Sequence, residues 1–343
     1  MLSKDIIVIG TSTGGIEALK VLASGLPSDL RASLFIVLHM GANGLGILPQ
    51  ILEQSGPLPA SNARQGEAIR SGHIYVAPPD HHLLLEPTGH VRLSRGPKEN
   101  RFRPAVDPLF RSAAYAFGPR VVGVVLTGFL DDGTAGLWAI KERGGTAVVQ
   151  NPDEALAPSM PRSALQHVPV DHCSTLEDMA PLLVELARTP VKQKGASPVS
   201  KRLETELKIA KENNALEAGI TEWGEPSLYA CPECHGVLLQ LKEGSNVRFR
   251  CHTGHAYSLE TLLAEFTERT EETLWNAIRS MEEMILLLQR MARQMAEHGH
   301  DQAADTLEQK VRDTQERTDL VRQAVMQHEK PINEETGYTA GAG

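Results

Sequence analysis

Four near-continuous apolar runs leave this chain few folds to choose from: IIVIG (6–10), SLFIVLHM (33–40), VVGVVLTG (121–128) and GTAVVQ (145–150). Runs without an apolar/polar alternation are strands buried on both faces, which is the situation of a parallel sheet covered by helices on either side. Helical patterns at 15–25, 45–54, 134–143 and 178–188 follow or separate them. The first 188 residues therefore read as an α/β layered domain. HHLLLEPTGHVRLSRG (81–96) reads as a hairpin about a Pro-Thr-Gly turn.

Beyond this domain the texture changes. TPVKQKGASPVSKR (189–202) is linker-like, a short helix is expected at 203–213, and cysteines cluster at 231–255. From Ser258, a plausible N-cap, a long helix keeps apolar residues at steps of three and four through Met295. EHGHD (297–301) breaks it, and a second helix places Ala304, Leu307, Val311, Thr314, Thr318, Val321 and Val325 on one seam. That pattern predicts an antiparallel helical hairpin or coiled coil, one that two copies of the chain could share. The divisions expected are 1–188, linker and short helix 189–222, a cysteine module 223–257, the hairpin 258–330 and a disordered tail 331–343.

No apolar run approaches the roughly 20 residues of a membrane span, and the N-terminus lacks a signal-peptide layout, so a cytoplasmic protein without membrane insertion is expected. The net charge of −9 gives nucleic acid nothing to bind; residues 201–330 hold 16 Lys/Arg against 23 Asp/Glu, a local charge of −7.

Gly10-Thr11-Ser12-Thr13-Gly14 lies between the first strand and first helix and fits Gly-x-Ser-x-Gly in the setting that pattern requires. Such a turn pushes the Ser12 hydroxyl above the sheet and aims a helix N-terminus at charge developing there. A phosphate site is the competing reading of a Gly/Ser/Thr-rich turn, although the spacing is that of neither common phosphate loop. His39 ends the second strand, and Asp131 and Asp132 follow Gly128 at the end of another. Each has a plainer explanation, a boundary histidine and a helix-capping aspartate. Ser12, His39 and Asp132 are nevertheless all expected at one sheet edge, which is the arrangement of a Ser-His-Asp hydrolase. Their order differs from the Ser…Asp…His of α/β-hydrolases, an order in which His167 or His172 would supply the base.

IGTSTGGIEAL, VLHM, GEAIRSGHIYVAPPDHHLLL, NRFRPAVDPLFRSAA and VGVVLTGFLDDGTAGL together resemble the catalytic domain of the chemotaxis protein-glutamate methylesterase family (CheB), over roughly residues 3–188. The resemblance implies a doubly wound parallel sheet and hydrolysis of glutamyl methyl esters on chemoreceptors, often with glutamine deamidation. It implies Ser12 as nucleophile, His39 as general base, Asp132 as the residue orienting the imidazole, and no catalytic cofactor. Phe129 stands where a methionine is usual, its backbone N–H near the oxyanion. Asp131 stands in place of a frequent asparagine, with a charge expected to favour imidazolium. The chain opens at the catalytic strand rather than at a receiver domain, so control from elsewhere is expected. Arg101 and Arg103 read equally as groove residues and as a solvated face. The alternative to an active esterase is a docking or scaffold protein with an idle triad.

Cys231-Pro-Glu-Cys234, a hairpin-like stretch, and Cys251-His-Thr-Gly-His255 have the spacing of a Cys3His zinc ribbon. His255 is the expected fourth ligand, because His252 would have to fold back beside its neighbour. His252, His235 and the distant Cys173 are the alternatives. Three thiolates and an imidazole leave no open position, so the zinc is expected to be structural.

Overall fold

The structure, a computed structural model, describes residues 3–191, 198–212, 215–222, 224–243 and 246–327. The expected tail at 331–343 and part of the linker lie outside the described residues.

The strands run β1 (Ile6–Thr11), β2 (Ser33–Leu38), β3 (Ala60–Asn62), β4 (Ile74–Val76), β5 (His82–Leu85), β6 (Val91–Ser94), β7 (Val121–Val125), β8 (Thr146–Gln150) and β9 (His172–Ser174). Seven form one sheet in the order β3-β4-β2-β1-β7-β8-β9, every pair parallel. β5 and β6 pair antiparallel as the expected hairpin. The helices of this layer are α1 (Gly15–Gly25), α2 (Leu48–Ser55), α3 (Val106–Phe117), α4 (Thr134–Glu142), α5 (Ser159–His167) and α6 (Leu176–Arg188).

Both faces of the sheet are covered at its centre, which is why β1, β2, β7 and β8 are nearly continuous apolar runs, whereas the edge strands β3 and β9 carry polar residues. Ile6 and Val8 of β1 join a core with α3, α4 and α5, while Ile7 and Ile9 join the opposite core with α1, α2 and α6. Helices on both faces of a parallel sheet make this a doubly wound α/β fold. β1 is central, flanked by β2 and β7, and the order reverses there. Loops after the strands at such a reversal form a crevice at the carboxyl edge.

After α7 (Lys201–Glu212) come four antiparallel strands, β10 (Glu225–Ala230), β11 (Val237–Glu243), β12 (Asn246–Cys251) and β13 (Ala256–Ser258). Residues 1–262 form one compact unit that includes this small sheet. The long helix begins where Ser258 caps it: the Ser258 hydroxyl accepts the Thr261 N–H at 3.0 Å. It is α8 (Leu259–Glu297), followed by α9 (Asp301–Met326).

Residues 263–343 are a separate unit, a helical hairpin where described. The expected seam is what it buries. Ile278, Ile285 and Ala292 of α8 and Ala304, Thr318 and Val325 of α9 are closed to solvent at heptad spacing. Glu282 pairs with Arg322 across the two helices. No described helix is long and apolar enough to cross a membrane.

Candidate active site

β1 and β2 are in register from Ile6↔Ser33 to Thr11↔Leu38. The next residues of each strand are Ser12 and His39. The ladder continues past both: His39 N–H donates to the Thr11 carbonyl at 3.1 Å, and Ser12 N–H crosses to the Thr127 carbonyl at 3.0 Å. Ser12 therefore stands at the carboxyl edge between His39 on one side and the loop after β7 on the other. Two glycines make the bend possible. Gly14, the N-cap of α1, has φ 78°, a left-handed conformation open to glycine. A Cβ on Gly128 would lie 2.8 Å from the Ser12 Cβ and 2.1 Å from the Met160 sulfur, so only glycine admits that approach.

His39 and Asp132 meet. The imidazole Nε2 lies 2.7 Å from Asp132 Oδ2, and both side chains are almost wholly buried. Asp132 also accepts the Val106 N–H at 2.7 Å, the Asp107 N–H at 3.2 Å and the Asn100 amide at 2.8 Å. Burial alone would raise its pKa, but the His39 hydrogen bond and charge, with the Val106 and Asn100 donors, outweigh it and hold the carboxyl below its ordinary value. An ionised acceptor requires Nε2 to carry the proton, which leaves Nδ1 with a lone pair. Nδ1 is buried and has no hydrogen-bond partner among the described residues. The ring is held flat against Phe102, centroids 3.9 Å apart and planes within 8°.

The flanking acids behave differently. Asp107, buried and close to Asp132, is pushed up to about 7, first by burial and then by that neighbouring charge. Asp131 donates nothing to the pair: its Oδ1 accepts the Ser258 hydroxyl at 2.7 Å, and burial followed by the Glu260 charge pushes it up to about 8. At neutral pH it is mostly protonated, so the full negative charge expected beside His39 is not delivered.

Of the two arginines in NRFRP, Arg103 is committed to structure, its guanidinium on Asp80 (Nε–Oδ1 2.9 Å) and the Gly96 carbonyl (2.9 Å). Arg101 is partly buried. Asn100 and Phe102, between and beside them, are the residues that reach the pair, and sequence reading missed both. Their only signal was membership of the motif.

A second cluster lies in the small antiparallel sheet. Ligating atoms of Cys231, Cys234, Cys251 and His255 all lie within 4.8 Å of one another. Cys234 and Cys251 sulfurs are 3.6 Å apart, and His255 Nδ1 is 3.7 Å from the Cys231 sulfur and 3.6 Å from that of Cys251. Tetrahedral Zn²⁺ with bonds of about 2.0–2.3 Å needs donor separations of roughly 3.5–3.8 Å, so the set fits. Cys231 and Cys251 share a proton: the contact with Cys231 and that with His255 draw the Cys251 thiol down, and the same contact with burial pushes the Cys231 thiol up, so without a metal the pair carries one thiolate. His252, His235 and Cys173 are not in this group; Cys173 is exposed on β9.

The family model for CheB methylesterase matches residues 7–183. A Leptospira interrogans protein described as a protein-glutamate methylesterase/protein-glutamine glutaminase is 40% identical over 193 residues, 56% of this chain and 100% of that protein. Proteins of the same description from Moorella thermoacetica and Rhodospirillum rubrum are 39% and 40% identical, each over 53% of this chain. The chain spans 44% and 49% of their lengths, about half. The crystal structure of the Thermotoga maritima CheB methylesterase catalytic domain superposes with a TM-score of 0.52 at 32% identity, covering 53% of this chain and 98% of that one. With the sheet order, the pair at its edge and a family model spanning half its length in agreement, the chain belongs to the CheB methylesterase family.

Proposed function

We propose that this chain is a protein-glutamate methylesterase of a chemosensory pathway, in which Ser12, His39 and Asp132 hydrolyse glutamyl methyl esters of a methylated receptor. The observation that carries the reading is the 2.7 Å bond between His39 Nε2, just past β2, and Asp132, in the loop after β7, the two strands that flank β1 and Ser12. Asp132 fixes the imidazole so that Nδ1 is the basic atom. Nδ1 takes the Ser12 hydroxyl proton as Oγ attacks the ester carbonyl. The tetrahedral oxyanion is received by the positive N-terminal end of α1 and the Phe129 N–H. Collapse breaks the C–O bond, and the proton on Nδ1 leaves with methoxide as methanol. Water then gives a proton to Nδ1 as its oxygen attacks the acyl-Ser12 ester; the acyl–Oγ bond breaks, Nδ1 returns the proton to Oγ, and glutamate leaves with Ser12 and neutral His39 restored. A glutamine side chain follows the same course with ammonia leaving, as the paired names of the relatives suggest.

The Cys231, Cys234, Cys251 and His255 set is read as a structural Zn²⁺ site that touches none of the reacting groups; bound there, zinc would cross-link two chain segments.

Labelling with a fluorophosphonate tests the nucleophile. One adduct per chain, mapped to Ser12 by peptide mass spectrometry and absent from His39→Ala, is the expected result. Labelling of another serine, or undiminished labelling of His39→Ala, contradicts it.

A further inference from the structure

The catalytic pair is braced from a second direction, by the module that carries the cysteines. Segment 98–102 lies between them and touches both. On the module side, Ala256 N–H donates to the Lys98 carbonyl at 3.2 Å and Asn100 N–H donates to the Ala256 carbonyl at 2.8 Å. Ser258 N–H donates to Asn100 Oδ1 at 3.3 Å. On the catalytic side, the same Asn100 amide donates to Asp132 at 2.8 Å and to Asp107 at 3.1 Å, and Phe102 covers the His39 ring. Asn100 and Arg101 have φ of 49° and 76°, conformations non-glycine residues rarely hold without support. The turn closes on itself, Glu99 N–H donating to the Phe102 carbonyl at 3.2 Å and Phe102 N–H to the Glu99 carbonyl at 3.0 Å, and β13 anchors it from outside through Ala256.

Below this junction, Arg248 and Arg250 of β12 reach Glu99 at 3.4 and 3.1 Å, and both also engage Glu206 of α7. All four side chains are buried. The module cannot shift without exposing or unpairing these charges. His255, in the candidate metal set, immediately precedes Ala256, and its carbonyl accepts the Cys251 N–H at 3.0 Å.

We propose that the four-stranded module is a positioning device for the hydrolytic site: metal closure at Cys231, Cys234, Cys251 and His255 fixes β13, and β13 holds Asn100 and Phe102 where they set Asp132 and His39. This rests on the zinc and esterase readings above. Asn100 and Phe102 are positioning residues; neither exchanges a proton with substrate.

The test uses the full chain purified without chelator, its zinc measured, and hydrogen exchange followed by mass spectrometry over residues 98–107 and 228–258. Chelation is expected to open both stretches, lower kcat roughly 10–100-fold with KM little changed, and be reversed by added zinc. Asn100→Asp keeps the acceptor for Ser258 and tolerates the left-handed backbone but replaces the donor facing Asp132 with a carboxylate. It is expected to lose kcat about tenfold or more while exchange in 228–258 stays as in the unaltered chain. Opening of 228–258 with 98–107 still protected and kcat unchanged overturns the proposal. So does a chain that holds no zinc and does not change on adding it, an outcome that leaves the Ser12 chemistry standing. Metal-dependent protection of 98–107 in a chain that releases no methanol supports the positioning device and contradicts the esterase reading instead.

Discussion

His39 spends one ring nitrogen on Asp132, and the other is buried with no partner among the described residues, which leaves its lone pair for the proton transfer proposed above. Ser12→Ala and His39→Ala should each cut esterase kcat by about a thousandfold or more without loss of fold, read by steady-state rates beside circular dichroism. Asp132→Asn should be damaged as severely, because an amide facing Nε2 favours the tautomer that places the proton on Nδ1. Asp131 makes a different prediction. Its carboxyl ionises at an ordinary 3.8 when unfolded and at about 8 when folded. Between about pH 4 and pH 8 the native chain keeps a proton the unfolded chain has lost, so this residue's contribution is full below that window and declines as pH rises through it. Asp131→Asn keeps the acceptor for Ser258 and has no such slope. Chemical denaturation should find the variant matching the unaltered protein near pH 4 and more stable by about 2 kcal/mol above pH 8, partial exposure trimming the full linkage value. Equal slopes for the two would mean that Asp131 is ionised throughout.

At the level of elements, what could be read from sequence was what has a local period or local punctuation. β1, β2, β7 and β8 announced themselves as apolar runs, the heptad seam of α8 and α9 as steps of three and four, and the β11–β12 hairpin as a link between two cysteine knuckles. α3 did not. It buries Asp107, Arg111 and Ser112 along with its apolar residues, so it shows no polar face. Those polar groups are tolerated because Glu99, in the turn before the helix, pairs with Arg111, and Arg248, far away in the chain, lies 3.8 Å from Asp107. The three-residue strands β3, β4 and β9 are too short for a period to appear. The same logic governed the candidate site: the approach of His39 to Asp132 follows from the end of β2 and the loop after β7, whereas Asn100 and Phe102 reach that pair from a turn that shows no period of its own. Buried charges joining α3, α7 and β12 should also make one cooperative unit of these elements. Glu206→Ala is expected to destabilise the protein by about 3–5 kcal/mol, because Arg250 and Arg248 would lose a buried counter-charge. A lower urea midpoint at an unchanged m-value would show it; a free-energy change under about 1 kcal/mol, taken as m times the midpoint shift, would mean water or another acid replaces the carboxylate.

Across the whole molecule, Ser12, His39 and Asp132 lie in the unit of residues 1–262, and the helical hairpin is a separate unit. At 1.5 Å per residue the 39-residue α8 is about 58 Å long. Its seam is buried within the hairpin, yet Met284, Leu287 and Met291 form a second stripe that is 53%, 59% and 40% exposed. Exposed apolar residues at that spacing suit contact with another helical surface, so removing the chain after Thr273 should spare a small ester and slow a methylated receptor about tenfold. Equal rates on both substrates would leave the hairpin without a docking role. The most direct test of the enzymatic reading is methanol release from receptor membranes carrying labelled glutamyl methyl esters. The full chain should release labelled methanol, and Ser12→Ala, folded and at the same concentration, should fall to the buffer rate. Release by the Ser12→Ala protein at the rate of the unaltered chain would contradict the assignment of this serine as the nucleophile.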